Sequence, residues 1–306
     1  MIKISLSRYF IYSICFICLF ATSATAQQKD TTKVLIVIAH PDDETAFAAT
    51  IYKITKEMHG IADLVCITNG EGGYKYSTLA EAYYGLELTD EKIGRENLPR
   101  IRKRELTNAG NIIGIRSFYF LNQKDAHYGL DEHEPLDTSW TVPFVTKGLK
   151  GIMTKTHYDY VFCLLPVPGT HGGHKAATLL ALRAVSAMPL ENRPIILGVS
   201  SRNKGDTLQH FKQLGDYKET ATLSDTASFS FDRTASFGYN KQLNYKIIVN
   251  WEIAEHKSQG TMQLGMNRGD YETFWYFAQN PAEGFEKTRK LFEALKYIPY
   301  PTKTYK

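Results

Sequence analysis

The sequence predicts an α/β fold with a mostly parallel sheet, followed by a less regular C-terminal segment. Three observations carry the prediction. Short, continuous apolar runs such as residues 33–39 (KVLIVIA) have the composition of strands covered on both faces. Helical periodicities alternate with those runs, as parallel strands joined by crossovers require. The first run ends abruptly in His40-Pro41-Asp42-Asp43-Glu44, beyond the carboxyl end of a strand, where open α/β sheets keep their ligand sites.

The elements follow in order. After Pro41, the residues Phe47, Thr50, Ile51, Ile54 and Met58 recur at helical spacing, and Gly60 ends the pattern. Ile61–Thr68 is a second strand. Residues 69–98 hold much Gly, Tyr and charge with little periodicity, so a long loop with at most a helical piece is expected there. Leu98–Gly114 is a helix and Ser117–Leu121 a strand. Val142–Thr156 is helical, Tyr158–Pro166 a strand, Gly173–Met188 an Ala/Leu-rich helix, and Pro194–Ser200 a further strand. Beyond about residue 205 the pattern loosens, with a helix near Asn250–Met262 and a last one over Pro281–Leu295.

Length and charge bound the function class. The 306 residues, 43% hydrophobic and 22% charged, suffice for one large domain with a real core. The formal charge of +4 comes without a basic run, so nucleic acid is not an expected partner. Residues 1–26 read as a secretory signal: Lys3 and Arg8, an apolar stretch (YFIYSICFICLFA), then Ala24-Thr25-Ala26 before Gln27. Roughly 13 apolar residues fall short of the ~20 that span a bilayer, so no stable membrane span is expected after cleavage. The mature protein, 27–306 with its core at about 33–262, is expected to be periplasmic or extracellular, near +4 − 2 = +2 in charge. Its two cysteines, Cys66 and Cys163, lie inside apolar runs and read as small buried hydrophobes.

The charged cluster has two readings on chemistry alone. Acids at a helix start cap its free amides and complement its dipole. Capping does not account for the histidine ahead of them, and His40 with Asp43 around a proline bend can share one metal ion. A second cluster, His171-Gly-Gly-His174, follows another predicted strand and therefore lies on the same rim. His40, Asp43 and one of those histidines would make three protein ligands with a fourth position open, the pattern of a catalytic zinc site. Asp42, beside a ligand yet free, is then a natural general base, and the remaining histidine can stabilise an oxyanion. Asp125, after the third strand, could line the rim. Glu44 reads as a cap or as a support for His40, and His256 as a structural residue. His127 and His133 lie in so polar a loop that exposure is expected.

AHPDDE at residues 39–44 resembles in full the signature of the PIG-L/LmbE-like family of zinc-dependent N-acetylglucosaminyl de-N-acetylases. Further matches are Thr68-Asn-Gly-Glu-Gly-Gly73, Arg102-Lys-Arg-Glu105, the HGGH run and Ala254-Glu-His-Lys-Ser-Gln259. The resemblance implies a Rossmann-like three-layer fold. It implies zinc, or another divalent metal, on His40, Asp43 and His174. Asp42 would be the catalytic base, His171 would steady the tetrahedral intermediate, and Arg102 would reach toward substrate. The expected activity is removal of an N-acetyl group from an N-acetylglucosamine-type sugar or glycoconjugate, by a protein whose oligomeric state is open. Alternatives are cleavage of another amide, such as a thiol conjugate, or non-catalytic metal or glycan binding. Two positions depart from the family pattern: Gly173 stands where an Asp often precedes the third ligand, and Gly169 where some members carry a Tyr.

Overall fold

Five consecutive buried residues, Val34–Ile38, can be satisfied only by a strand with cover on both sides, and they form the centre of the sheet. The computed structural model describes residues 31–301 and 303; the expected signal segment at 1–26 lies outside them. Residues from Thr32 onward group as one compact unit. Its strands are β1 (Lys33–Ile38), β2 (Ile61–Thr68), β3 (Ile115–Gln123), β4 (Tyr160–Leu164), β5 (Ile195–Arg202), β6 (Phe229–Asp232) and β7 (Tyr271–Tyr276). They form one sheet in the order β3-β2-β1-β4-β5-β7-β6. The first five are parallel, and β7 then pairs antiparallel with both β5 and β6.

Helices cover both faces. The principal ones are α1 (Ala48–Tyr52), α2 (Thr78–Tyr84), α3 (Glu91–Ile113), α4 (Val142–Thr156), α5 (Gly172–Ser186), α6 (Lys246–Glu255), α7 (Gly260–Gln263) and α8 (Ala282–Leu295). Alternation along β1 sorts the core into two layers. Val34, Ile36 and Ile38 pack with Ile51, Leu106, Ile248 and Phe292 on one side. Leu35, Val37 and Ala39 pack with Val145, Leu149, Leu179 and Leu180 on the other. The three-layer α/β architecture is thus the expected one. Cys66 and Cys163 are buried and unpaired, and no helix among the described residues is long and apolar enough to cross a membrane.

Several local expectations need correction. The stretch at 69–98 is not mainly loop: it holds a 3-10 segment at Glu71–Tyr76, α2, and the first turns of α3. That helix starts at Glu91 rather than Leu98, because Asp90 accepts the amide of Ile93 as an N-cap (2.9 Å) and Pro99 is carried inside. The helix expected near Asn250–Met262 is two, α6 and α7, separated at His256–Gln259. Strands β6 and β7 had no counterpart in the sequence reading. The first is only four residues long, and the second carries a fully buried charge, Glu272, at its second position.

Candidate active site

The sheet order decides where the two histidine clusters meet. From β1 the chain runs outward through β2 and β3, then returns to β4 on the other side of β1. The gap between β1 and β4 is therefore the topological switch point, where α/β sheets open a crevice. His40 follows β1, His171 and His174 follow β4, and the two strands are paired with Val34 opposite Tyr160. The expected common rim is real, and its two halves are adjacent.

Asp43 ties the cluster together. One carboxylate oxygen accepts the amides of Ala39 (3.1 Å) and His40 (2.8 Å), sealing the strand end that Pro41 interrupts. The other lies 2.9 Å from Nε2 of His174, and Nδ1 of His40 is 3.6 Å from the carboxylate. His174 Nδ1 meets Thr170 Oγ1 at 2.8 Å, which fixes the ring with Nε2 facing Asp43. His40, Asp43 and His174 each offer a ligand atom within 4.8 Å of the others, so they could hold a metal ion. A second such group is His40, Asp125 and His171.

The electrostatics suit a cation. Burial works against a charged His40, but Asp125 and then Asp43 and Asp42 outweigh it and push the ring up to about 9. Burial likewise opposes the charged form of Asp43, yet His174 and His40 hold its carboxyl well below the usual range. A pocket that charges its own histidine is one that would accept a dication in place of the proton. Nitrogen and carboxylate donors in this number fit zinc, among other divalent metals.

Asp42 is turned away from that triad. Burial is the main influence on it and pushes its carboxyl up to about 6 against the opposing pull of Arg102. Arg102 Nη2 lies 3.2 Å from the Asp42 carboxylate and 2.7 Å from Pro41 O, while Nη1 donates to Gly70 O. Gly70 is a required glycine: its φ is +71° and a Cβ there would strike the guanidinium. Arg102 lines the cleft, but its nearest task is holding Asp42 rather than reaching outward. His171 is set differently. Burial first, then His40 and His174, push its ring down to about 4. The Gly173 amide donates to Nδ1 (2.9 Å), so the neutral ring carries its proton on Nε2 and presents a donor.

Gly173, where the family often has an Asp, sits close against two of the rings. A Cβ at Gly173 would lie 3.0 Å from both His171 Nδ1 and the His40 ring. The His171 and His40 rings would have to give by a few tenths of an ångström to admit a side chain there. The cleft around these groups measures about 490 Å³ and includes Tyr76, Tyr128, Gln259 and Met262 in its wall. Tyr128 meets His171 edge to face, with centroids 5.1 Å apart. Its loop is tied down by the Gly172 amide on Gly129 O (2.8 Å) and by a largely buried pair, Lys175 with Glu132 (2.9 Å). His127 and His133 are exposed, as expected.

Asp125 lines the rim, as expected, 3.8 Å from His40 Nε2, and it accepts the Gly72 amide. What sequence reasoning missed is a distant pairing. Glu44 neither caps a helix nor touches His40. It accepts the Asp42 amide (3.0 Å) and meets His256 Nε2 at 2.6 Å, with both side chains fully buried. Nothing local to either residue announces the other, 212 positions away.

Residues 35–185, β1 through nearly all of α5, match the family described as PIG-L, GlcNAc-PI de-N-acetylase. The chain carries a PIG-L domain. The resemblance drawn from the motifs is borne out, and the matched stretch contains all five catalytic and metal-site residues inferred above. Among relatives of this PIG-L domain is a probable N-acetyl-alpha-D-glucosaminyl L-malate deacetylase 2 of Bacillus cereus, 27% identical over 61% of this chain and 80% of that one. A Bacillus subtilis protein of the same description is 24% identical over 63% and 79%. A solved structure of a deacetylase from teicoplanin biosynthesis shares the fold, with a TM-score of 0.51 at 13% identity over 82% of this chain and all of the other.

Proposed function

We propose that this PIG-L domain is an exported, zinc-dependent amidohydrolase that removes the N-acetyl group from an N-acetylglucosamine-type sugar or glycoconjugate. The observation that carries the reading is a carboxylate, Asp42, held by Arg102 outside a His-Asp-His triad but in the same cleft. A binding protein has no use for an unliganded base held at about 6 next to its ligands. The substrate class follows the Bacillus relatives, described as probable N-acetyl-alpha-D-glucosaminyl L-malate deacetylases. Export rests on residues 1–26, and a mature N-terminus at Gln27 by mass spectrometry tests it.

A zinc ion held by His40, Asp43 and His174 would supply Lewis acidity at the acetyl carbonyl and its attacking water. The chain's own groups do the rest. Asp42 takes the water's proton on its carboxylate, which Arg102 steers toward the cleft. The oxyanion that forms as water adds is met by Nε2–H of His171, a neutral donor that needs no prior protonation. Asp42 then returns its proton to the departing amine, and acetate is left behind. Tyr128, in the cleft wall, would meet the sugar, while Arg102 acts through Asp42.

The test is acetate release from a panel of N-acetylated sugars and non-sugar amides, including a thiol conjugate. Turnover of glucosaminides above all others supports the reading. Preference for a non-sugar amide would move the protein to another substrate, and no acetate from any would refute it.

A further inference from the structure

Asp42 holds a backbone conformation that an L-residue rarely adopts, with φ 145° and ψ −15°. Such a backbone persists only where its surroundings impose it. The constraint reaches beyond the stretch matched by the family, to His256. The Asp42 amide donates to Glu44 Oε2 (3.0 Å), and Glu44 Oε1 lies 2.6 Å from His256 Nε2. His256 is the point where α6 stops, and the residues after it are fixed in turn. Glu105 accepts both the amide (2.8 Å) and hydroxyl (2.6 Å) of Ser258, and Ser77 Oγ donates to Ser258 O (2.9 Å). Glu105 stands one helical turn from Arg102, which holds the Asp42 carboxylate.

Asp42 is therefore gripped twice, by side chain from α3 and by backbone from the α6–α7 break. Neither Glu44 nor His256 lines the cleft, so neither touches substrate. Nor is the pair an economical way to fill a core, since a buried ion pair is often matched or bettered by apolar side chains of equal volume. We propose that Glu44 and His256 are positioning residues: they impose the strained backbone of Asp42 and so aim its carboxylate at the attacking water. This rests on the assignment of Asp42 as base.

The test uses which imidazole nitrogen is engaged. Glutamine places its amide nitrogen about where Nε2 of histidine lies, whereas asparagine reaches only as far as Nδ1. His256→Gln and His256→Asn are compared in the full chain for kcat, KM, bound zinc and melting temperature, with Asp42→Asn as control. We expect His256→Asn to lower kcat about ten- to a hundredfold with KM and bound zinc unchanged, the scale of a misplaced catalytic group. His256→Gln should recover kcat to within about threefold of wild type. A crystal structure of His256→Asn should show Asp42 relaxed to negative φ. Equal kcat in the two variants, or a loss that follows zinc content, would overturn the proposal. So would an Asp42 backbone unmoved in the asparagine variant. An inactive Asp42→Asn with an unimpaired His256→Asn would sink the brace alone; a fully active Asp42→Asn would sink the base assignment with it.

Discussion

Asp42 and Asp43 are chain neighbours with opposite tasks, and their surroundings make the difference. Asp43 spends its oxygens on two amides and two histidines, while Asp42 keeps one side to the cleft and one to Arg102. Asp43→Asn should lose bound metal. Asp42→Asn should keep it and lose turnover by about 10²–10⁴, the usual worth of a general base. Elemental analysis beside kinetics separates the two. The pH profile gives a second check. Asp42 acts deprotonated, and burial raises its carboxyl to about 6. Thus kcat/KM should fall as pH drops through about 6, not through the range of an ordinary carboxylate. Arg102 favours the charged form, so Arg102→Met should move that acid limb to higher pH. The residues of the candidate site were legible because HPDDE and HGGH are contiguous and each residue's chemistry is its own. The Glu44–His256 pairing was not, since its meaning lies in a contact across many residues that carries no local pattern.

At the level of elements, the start of α5 sets the site. Its first turn delivers both His171 and His174, and Gly173 between them leaves room for the His40 ring. Gly173→Asp, which would restore the residue common in the family, should therefore impair rather than help. We expect metal affinity and kcat both to fall at least about tenfold, with the melting temperature little changed because Gly is already the poorer helix former. A gain in activity would show that the pocket can yield. Strong periodicity made Val142–Thr156 legible to the residue. Where a polar link rather than periodicity governs, the reading drifted: α3 begins at the Asp90 cap, and α6 ends where His256 and Ser258 are tied to Glu44 and Glu105.

Across the whole molecule, the parallel half of the sheet carries the chemistry and the C-terminal third secures it. Glu272 of β7 accepts the amides of Ala49 and Thr50 at 2.9 Å each and pairs with buried Arg233 at 2.8 Å. Arg233 in turn donates to Thr45 O (2.6 Å), so this network grips the segment that leaves HPDDE. Breaking it by Arg233→Ala should cost about 3–5 kcal/mol, the penalty for leaving a buried charge unpaired, readable by denaturant unfolding. A change under about 1 kcal/mol would show that the network is dispensable. The buried charge in YETFWY is also why β7 escaped notice: Glu and Thr in its first half cut short the apolar run that identifies its neighbours.

The central claim is that a cation on His40, Asp43 and His174 and a base at Asp42 together release acetate. The most direct measurement strips the protein with a chelator, restores zinc stepwise, and follows bound metal and acetate release from an N-acetylglucosaminide together. Activity should vanish on stripping and return in proportion to occupancy, reaching its maximum near one zinc per chain in wild type and staying absent in Asp43→Asn. Undiminished acetate release by the stripped protein, or full activity in Asp43→Asn, would contradict it.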